Sequence, residues 1–167
     1  IAVLVIVALK VHDSIQISAL KANTQTVVVP GGKPYNYTVG VDHATDIYLL
    51  DMANYISMLA GNLNAANADI NMTNLIALFH PSTYNKYQEH FKAIAEEIKR
   101  YPSVGFYSEL VRPEPIFIKE NHINIHYKRS RVVGSSVKPP EQRTLSFDFV
   151  IENGRFYILE MDDKAYE

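Results

Sequence analysis

The 167-residue chain is 47% hydrophobic and 20% charged, with a formal net charge of −2, a composition suited to one domain with a real core. It lacks the basic excess of a general nucleic-acid binder, so no direct nucleic-acid contact is expected. The absence of cysteine excludes disulfides, thiolate metal sites and thiol nucleophiles.

The chain opens on nine uncharged residues, in which Ile1, Val3, Leu4, Val5, Ile6, Val7 and Leu9 carry the apolar mass. Nine helical residues reach only ~14 Å, against ~30 Å for a bilayer core. The run reads as the C-terminal part of a transmembrane helix, with Lys10, His12, Asp13 and Ser14 at its exit into water. A buried strand or core helix is the alternative, because short apolar runs are ambiguous by period. A secretory leader fits less well, since no small-residue cleavage site closes the run. Val11, Ile15, Ile17 and Leu20 continue the apolar spacing, so residues 1–22 form the membrane and juxtamembrane segment. Residues 23–44 read as an extended linker or edge strands: Gln25–Val29 stops at Pro30-Gly31-Gly32, and Pro34–Val39 follows with Tyr35, Tyr37 and Val39 on one face. Residues 45–167 are the α+β domain.

Asp42 and Thr45 are candidate caps for a first helix over Asp46–Ala60, closed by Gly61-Asn62. Leu49, Met52, Ala53, Ile56, Leu59 and Ala60 make its core stripe. A second helix begins at Ala66 or Thr73 and runs to Phe79, ahead of Pro81. The third starts at a Ser82 cap and buries Tyr84, Tyr87, Phe91, Ile94, Ala95 and Ile98. Lys86, Glu89, Lys92, Glu96 and Glu97 form its wet face, and Lys99-Arg100 complements the C-terminal dipole.

The period then changes to two. Val104–Glu120 is a strand broken at Pro113-Glu114-Pro115. His122–Val133 puts Ile123, Ile125 and Tyr127 on one face and His122, Asn124, His126 and Lys128 on the other. Leu145, Phe147, Phe149 and Ile151 alternate in the next strand. Asn153-Gly154 then turns the chain into a last strand, Arg155–Met161. Helices followed by an antiparallel meander predict an α+β fold with three helices on a curved sheet.

The chain carries no phosphate-binding glycine loop, zinc-protease motif or nucleophile elbow. His122 and His126 share a strand face, but four strand residues separate their Cα atoms by ~13 Å, too far for one ion. A polar sheet face accounts for them, and His80 reads as a helix-end residue. A helix-covered curved sheet can enclose a cone-shaped pocket, yet Asp148, Glu109 and His126 alternate with apolar neighbours and so point outward. No catalytic residue, cofactor site or metal site is assigned. Lys128, Arg129, Arg131, Lys138 and Arg143, with Glu141, make the Ser130–Gln142 region basic. A headgroup or phosphate contact and a solvated loop are the two readings, and the lack of interleaved aromatics favours the loop. Asn36-Tyr37-Thr38 and Asn71-Met72-Thr73 match the glycosylation sequon, a pattern too common to carry weight.

The back of the first helix is more apolar than a solvated face needs. Ile47, Leu50 and Met58 surround Asn54 and Ser57. Either this side packs under the Gln25–Val39 segments, or Ile47, Leu50, Asn54 and Met58 form a self-association or partner surface.

From Tyr48 onward the chain resembles TraE of F-type conjugation systems, a family allied to the eighth VirB component of type IV secretion machines. The similar stretches are Tyr48-Leu49-Leu50-Asp51-Met52-Ala53, Leu75 to Pro81, and Ala95-Glu96-Glu97-Ile98-Lys99-Arg100. Val104-Gly105-Phe106-Tyr107, Glu152-Asn153-Gly154 and Asp162-Asp163-Lys164 complete the pattern. The resemblance implies a cystatin-like fold related to nuclear transport factor two. It also implies a single-pass protein of the bacterial inner membrane with a periplasmic domain, and no cofactor. The implied role is a non-enzymatic scaffold that self-associates and contacts other secretion and pilus-assembly proteins. The Asn-Pro-x-Gly turn tied to dimerisation in the VirB-type relatives is missing, with Arg100-Tyr101-Pro102-Ser103 at the helix-to-sheet turn. The alternative function is a small pocket enzyme or ligand-binding protein of the same fold, which an inward ionisable group with a strongly shifted pKa would favour.

Overall fold

In chain order the elements are α1 (Asp46–Gly61), β1 (Leu63–Asn64), α2 (Ala68–Ile76), α3 (Pro81–Lys99) and β2 (Val104–Leu110), followed by β3 (Ile116–Lys119), β4 (His122–Val133), β5 (Ser136–Val137), β6 (Glu141–Glu152) and β7 (Arg155–Ala165). They belong to a computed structural model that describes residues 38–112 and 114–166. The expected membrane segment, the Gln25–Val29 strand, the start of the Pro34–Val39 strand and the Asn36 sequon lie outside the described residues. Among the described residues, no helix is long and apolar enough to cross a membrane.

Alternation of apolar side chains makes β4 and β6 the spine of one antiparallel sheet ordered β1-β2-β4-β6-β7, with β3 and β5 also paired to β4. Ile123, Ile125 and Tyr127 lie beside Leu145, Phe147 and Phe149, all buried. The registers Leu110↔Tyr127 and Ile116↔Ile125 put β2 and β3 end to end along β4. Between them, the Val111 N–H donates to the His126 carbonyl (3.0 Å) and the His126 N–H to that of Pro115 (2.7 Å). The strand is thus interrupted between Val111 and Pro115, at the expected proline break, of which Pro113 lies outside the described residues.

The three helices cover the inner face of this curved sheet, as the order of periods predicts. Ala53 and Ile56 of α1, Leu75 of α2 and Phe91 and Ala95 of α3 are buried. Phe79 packs tilted against Tyr87 at 4.3 Å and meets Phe91 edge-on at 5.5 Å. The outer edge of β7 is occupied: the Ile158 N–H donates to the Leu78 carbonyl (2.8 Å), and the His80 N–H to that of Ile158 (2.9 Å). Further along, the Met161 N–H donates to the Tyr87 hydroxyl at 3.1 Å. Paired in this way, the strand edge offers little template for another chain.

Several boundaries differ from expectation, each for a local reason. α2 ends at Ile76 rather than Phe79, because the backbone of Leu78 and His80 is used by β7. The cap of α3 is His80 rather than Ser82: with Pro81 at the first helical position, the His80 Nδ1 accepts from the Ser82 N–H at 3.2 Å. Thr45 does not cap α1, since its hydroxyl is buried without a hydrogen bond. Gly61 is the last residue of α1 rather than a residue beyond it. A Cβ there would lie 2.6 Å from the Cβ of Ser108, so glycine allows the helix end to touch β2. β7 continues past Met161 to Ala165.

Residues 38–45 and 151–155 group as a unit of their own. Within it Val39 bridges Ala44, and the Gly154 N–H donates to the Val41 carbonyl at 3.1 Å. Asn153 (φ 52°) and Gly154 (φ 76°) both adopt the left-handed conformation that the Asn-Gly hairpin signal foretells.

Candidate interaction surfaces

α1 presents Ile47 (42% exposed), Leu50 (38%) and Met58 (52%) to solvent, on the side away from Leu49, Ala53 and Ile56. Asn54 sits among them, and its Nδ2 donates to the Leu50 carbonyl at 2.9 Å. The amide thus spends a donor on its own helix, while Asp51, one turn on from Ile47, sets a carboxylate on the same face. Ser57 is the correction: periodicity placed it on this face, but it is buried, and its hydroxyl donates to the Asn54 carbonyl at 2.8 Å. Positions 47, 50, 54 and 58 recur at three- and four-residue steps, so they form one stripe along the helix.

Between the helices and the sheet lies a charged cluster that β7, extended to Ala165, brings inward. Asp163 accepts from the Tyr127 hydroxyl (2.8 Å), from Arg129 Nη1 (3.1 Å) and from Arg143 Nε (2.9 Å). Arg143 Nη2 also reaches the Asp163 main-chain carbonyl at 2.8 Å, and Nη1 reaches Glu141 at 3.0 Å. Burial, reinforced by the charge and hydrogen bond of Asp163, pushes the Tyr127 phenol well above its ordinary value. For Arg143 burial opposes the charge, but the bond and charge of Asp163 prevail and hold the guanidinium above its ordinary value. The sequence offered a strongly shifted inward group as the mark of a pocket enzyme. Here the shifted group is a phenol whose proton is held by Asp163, so the cluster reads as a buried hydrogen-bond network. A strand ending at Met161 hid the cluster, and alternation could not have revealed it, because the inward positions shift from Phe156 and Ile158 to the odd-numbered residues before Asp163.

The outer face of the sheet is the polar ladder expected from the sequence. Cross-strand partners bond directly: His122 Nδ1 with Asp148 (2.6 Å), Ser146 with Asn124 (2.6 Å) and His126 Nδ1 with Thr144 (2.9 Å). Glu109 stands opposite Lys128 in the register of β2 and β4. Among the described residues, no group of three or more histidines and carboxylates is placed to hold a metal ion. Of the basic Ser130–Gln142 region, Arg129 and Arg143 are bound by Asp163 and Glu141, while Lys128, Arg131 and Lys138 stay exposed.

A family model described as TraE protein matches residues 1–163. The chain belongs to the TraE family. No match to the sequence is found among curated proteins. The TraE-family domain is similar in fold to VirB8 of Agrobacterium tumefaciens, at 12% identity and a TM-score of 0.61, covering 75% of this chain and 96% of that one. It is also similar to TrwG of Bartonella birtlesii, described as a component of a type IV secretion system, at 7% identity and a TM-score of 0.62, with 75% and 96% covered. The periplasmic domain of DotI matches at 9% identity and a TM-score of 0.58, with 76% and 100% covered. These likenesses establish the cone-shaped fold that the sequence resemblance implied.

Proposed function

We propose that this TraE-family chain is a non-enzymatic scaffold subunit of a conjugative type IV secretion system. In this reading residues 1–22 hold it at the inner membrane, residues 23–44 link, and residues 45–167 form a periplasmic domain. The domain acts in channel and pilus biogenesis by self-association and by contacts with other secretion and pilus-assembly proteins. The observation that carries the reading is the outward face of α1, where three large apolar side chains stand exposed together. Family membership and the fold shared with secretion proteins support it. So does the cone itself, whose interior is filled by Phe147, Ile125, Leu145 and Ile158 rather than left open for a substrate.

The test is Leu50→Asp in the full-length chain in mild detergent. Leu50 is half-exposed, so the domain should keep its melting temperature within a few degrees while sedimentation shows weakened self-association. Recovery of secretion and pilus components with the tagged wild-type protein, reduced in the variant, completes the expected outcome. Collapse of the fold would mean that Leu50 is core, and unchanged assembly would remove α1 from the interface.

A further inference from the structure

A second surface lies where the last turns of α3 face β2 and β4. It is a groove of about 280 Å³, floored by Ile94, Ile98 and Phe106, with Tyr101 exposed on its lip. That volume falls just under the ~300 Å³ at which small-molecule pockets begin, so it suits one or two side chains rather than a whole ligand. Its cations divide into two kinds. Arg129 lies 5.5 Å over the Phe106 ring and is neutralised by Asp163 (3.1 Å) and Glu141 (3.5 Å). Arg131 is exposed, and the ladder sets it directly opposite Lys138, whose N–H donates to the Arg131 carbonyl at 2.8 Å.

Directly opposed residues of an antiparallel pair project to the same face, and like charges there destabilise it. Neither cation has an ion-pair partner among the described residues, and Glu97 is the one acid lining the groove. An apolar floor beside an uncompensated like-charge pair is the complement of an acidic segment with an apolar anchor. We propose that this groove docks an extended acidic segment of another protein, its aromatic or branched side chain in the floor and its carboxylates on Arg131 and Lys138. A lipid surface fits less well, because the apolar residues lie in a concavity between helix and sheet. The inference goes beyond the scaffold reading and fails separately from it, since Ala60 is the part of α1 that lines the groove and the Ile47, Leu50 and Met58 face does not.

The probe is a fluorescently labelled peptide with one central phenylalanine flanked by glutamates, titrated into the full chain in mild detergent and followed by anisotropy. Arg131→Glu or Lys138→Glu should weaken binding about tenfold, and Tyr101→Ala should weaken it several-fold. Lys86→Glu, on the solvated face of α3, should leave it unchanged. Arg131→Glu also replaces the like-charge pair by an opposite-charge one, so it should raise the melting temperature slightly while weakening binding. A merely structural role cannot move the two readouts in opposite directions. Four outcomes would overturn the proposal: equal binding of a lysine-flanked peptide, equal binding when the central phenylalanine is replaced by alanine, displacement of the peptide by phosphatidylglycerol vesicles, or loss of self-association in the Arg131 and Lys138 variants. The last would assign the groove to a second copy.

Discussion

Tyr127 shows how one residue's surroundings set its chemistry. It is 2% exposed, with its hydroxyl 2.8 Å from Asp163, and its folded-state pKa is raised by burial first and by Asp163 second. A raised folded pKa means that the native state holds the proton more tightly than the unfolded chain. The resulting stability is complete below the unfolded value of ~10 and is lost as pH climbs above it. The melting temperature should therefore fall with alkaline pH above about 10. Tyr127→Phe should cost roughly 1.5–3 kcal/mol at neutral pH, the value of a hydrogen bond to a charged group, and should flatten the alkaline limb. Melting curves of both proteins across pH decide it. The chain has eleven tyrosines, so only the difference between the curves belongs to Tyr127, and parallel curves would refute the assignment.

Where α1 meets β2, two elements approach so closely that a single methyl matters. Gly61 lies over Ser108, and the next residue, Asn62, accepts the Ser108 N–H through its Oδ1 at 2.9 Å. Asn62 also accepts from Asn67 and Asn71 through its main-chain carbonyl, at 3.1 and 2.9 Å, so the asparagine-rich stretch closes the turn from α1 to α2. An alanine inside a helix gains ~1 kcal/mol over glycine, whereas overpacking costs ~1–3 kcal/mol. Here a Cβ would come within 2.6 Å of Ser108, so the second effect prevails. Gly61→Ala should lower the urea midpoint, and a Ser108→Gly background should restore it; a neutral Gly61→Ala would mean that the junction gives way. The sequence marked Gly61 as a cap beyond the helix end; it is the last helical residue, and the need for glycine has a different cause. The usual left-handed cap is a local rule, whereas the need here comes from a strand 47 positions later in the chain.

At the scale of the whole molecule, Asp163 joins three strands: Tyr127 and Arg129 come from β4, Arg143 from β6, and Asp163 itself from β7. Removing it leaves two guanidinium groups whose side chains are 25% and 13% exposed with only Glu141 beside them. Breaking a fully buried pair costs ~3–5 kcal/mol. Water reaches this cluster in part, so Asp163→Ala should cost about 2 kcal/mol and lower the melting temperature by several degrees. Glu141→Ala, at a half-exposed position, should cost less than half as much, and an equal loss from both variants would show that Asp163 has no special place.

Local sequence pattern settled the run from helices to strands, the inward faces of β4 and β6, the proline break between β2 and β3, and the Asn-Gly hairpin. Those features rest on local physics: side-chain period, fixed proline geometry and left-handed turns. It also determined that Ile47, Leu50 and Met58 share a helix face with Asn54, because spacing along a helix is a property of the sequence alone. Tertiary structure decided which of these side chains stay exposed, why Ser57 does not, and that His80 rather than Ser82 caps α3 once β7 holds its backbone. It decided as well that Asp163 gathers Tyr127, Arg129 and Arg143 into one cluster and leaves Arg131 and Lys138 without an ion pair among the described residues. Such outcomes depend on groups far apart in sequence sharing one small volume, and local period holds no information about that.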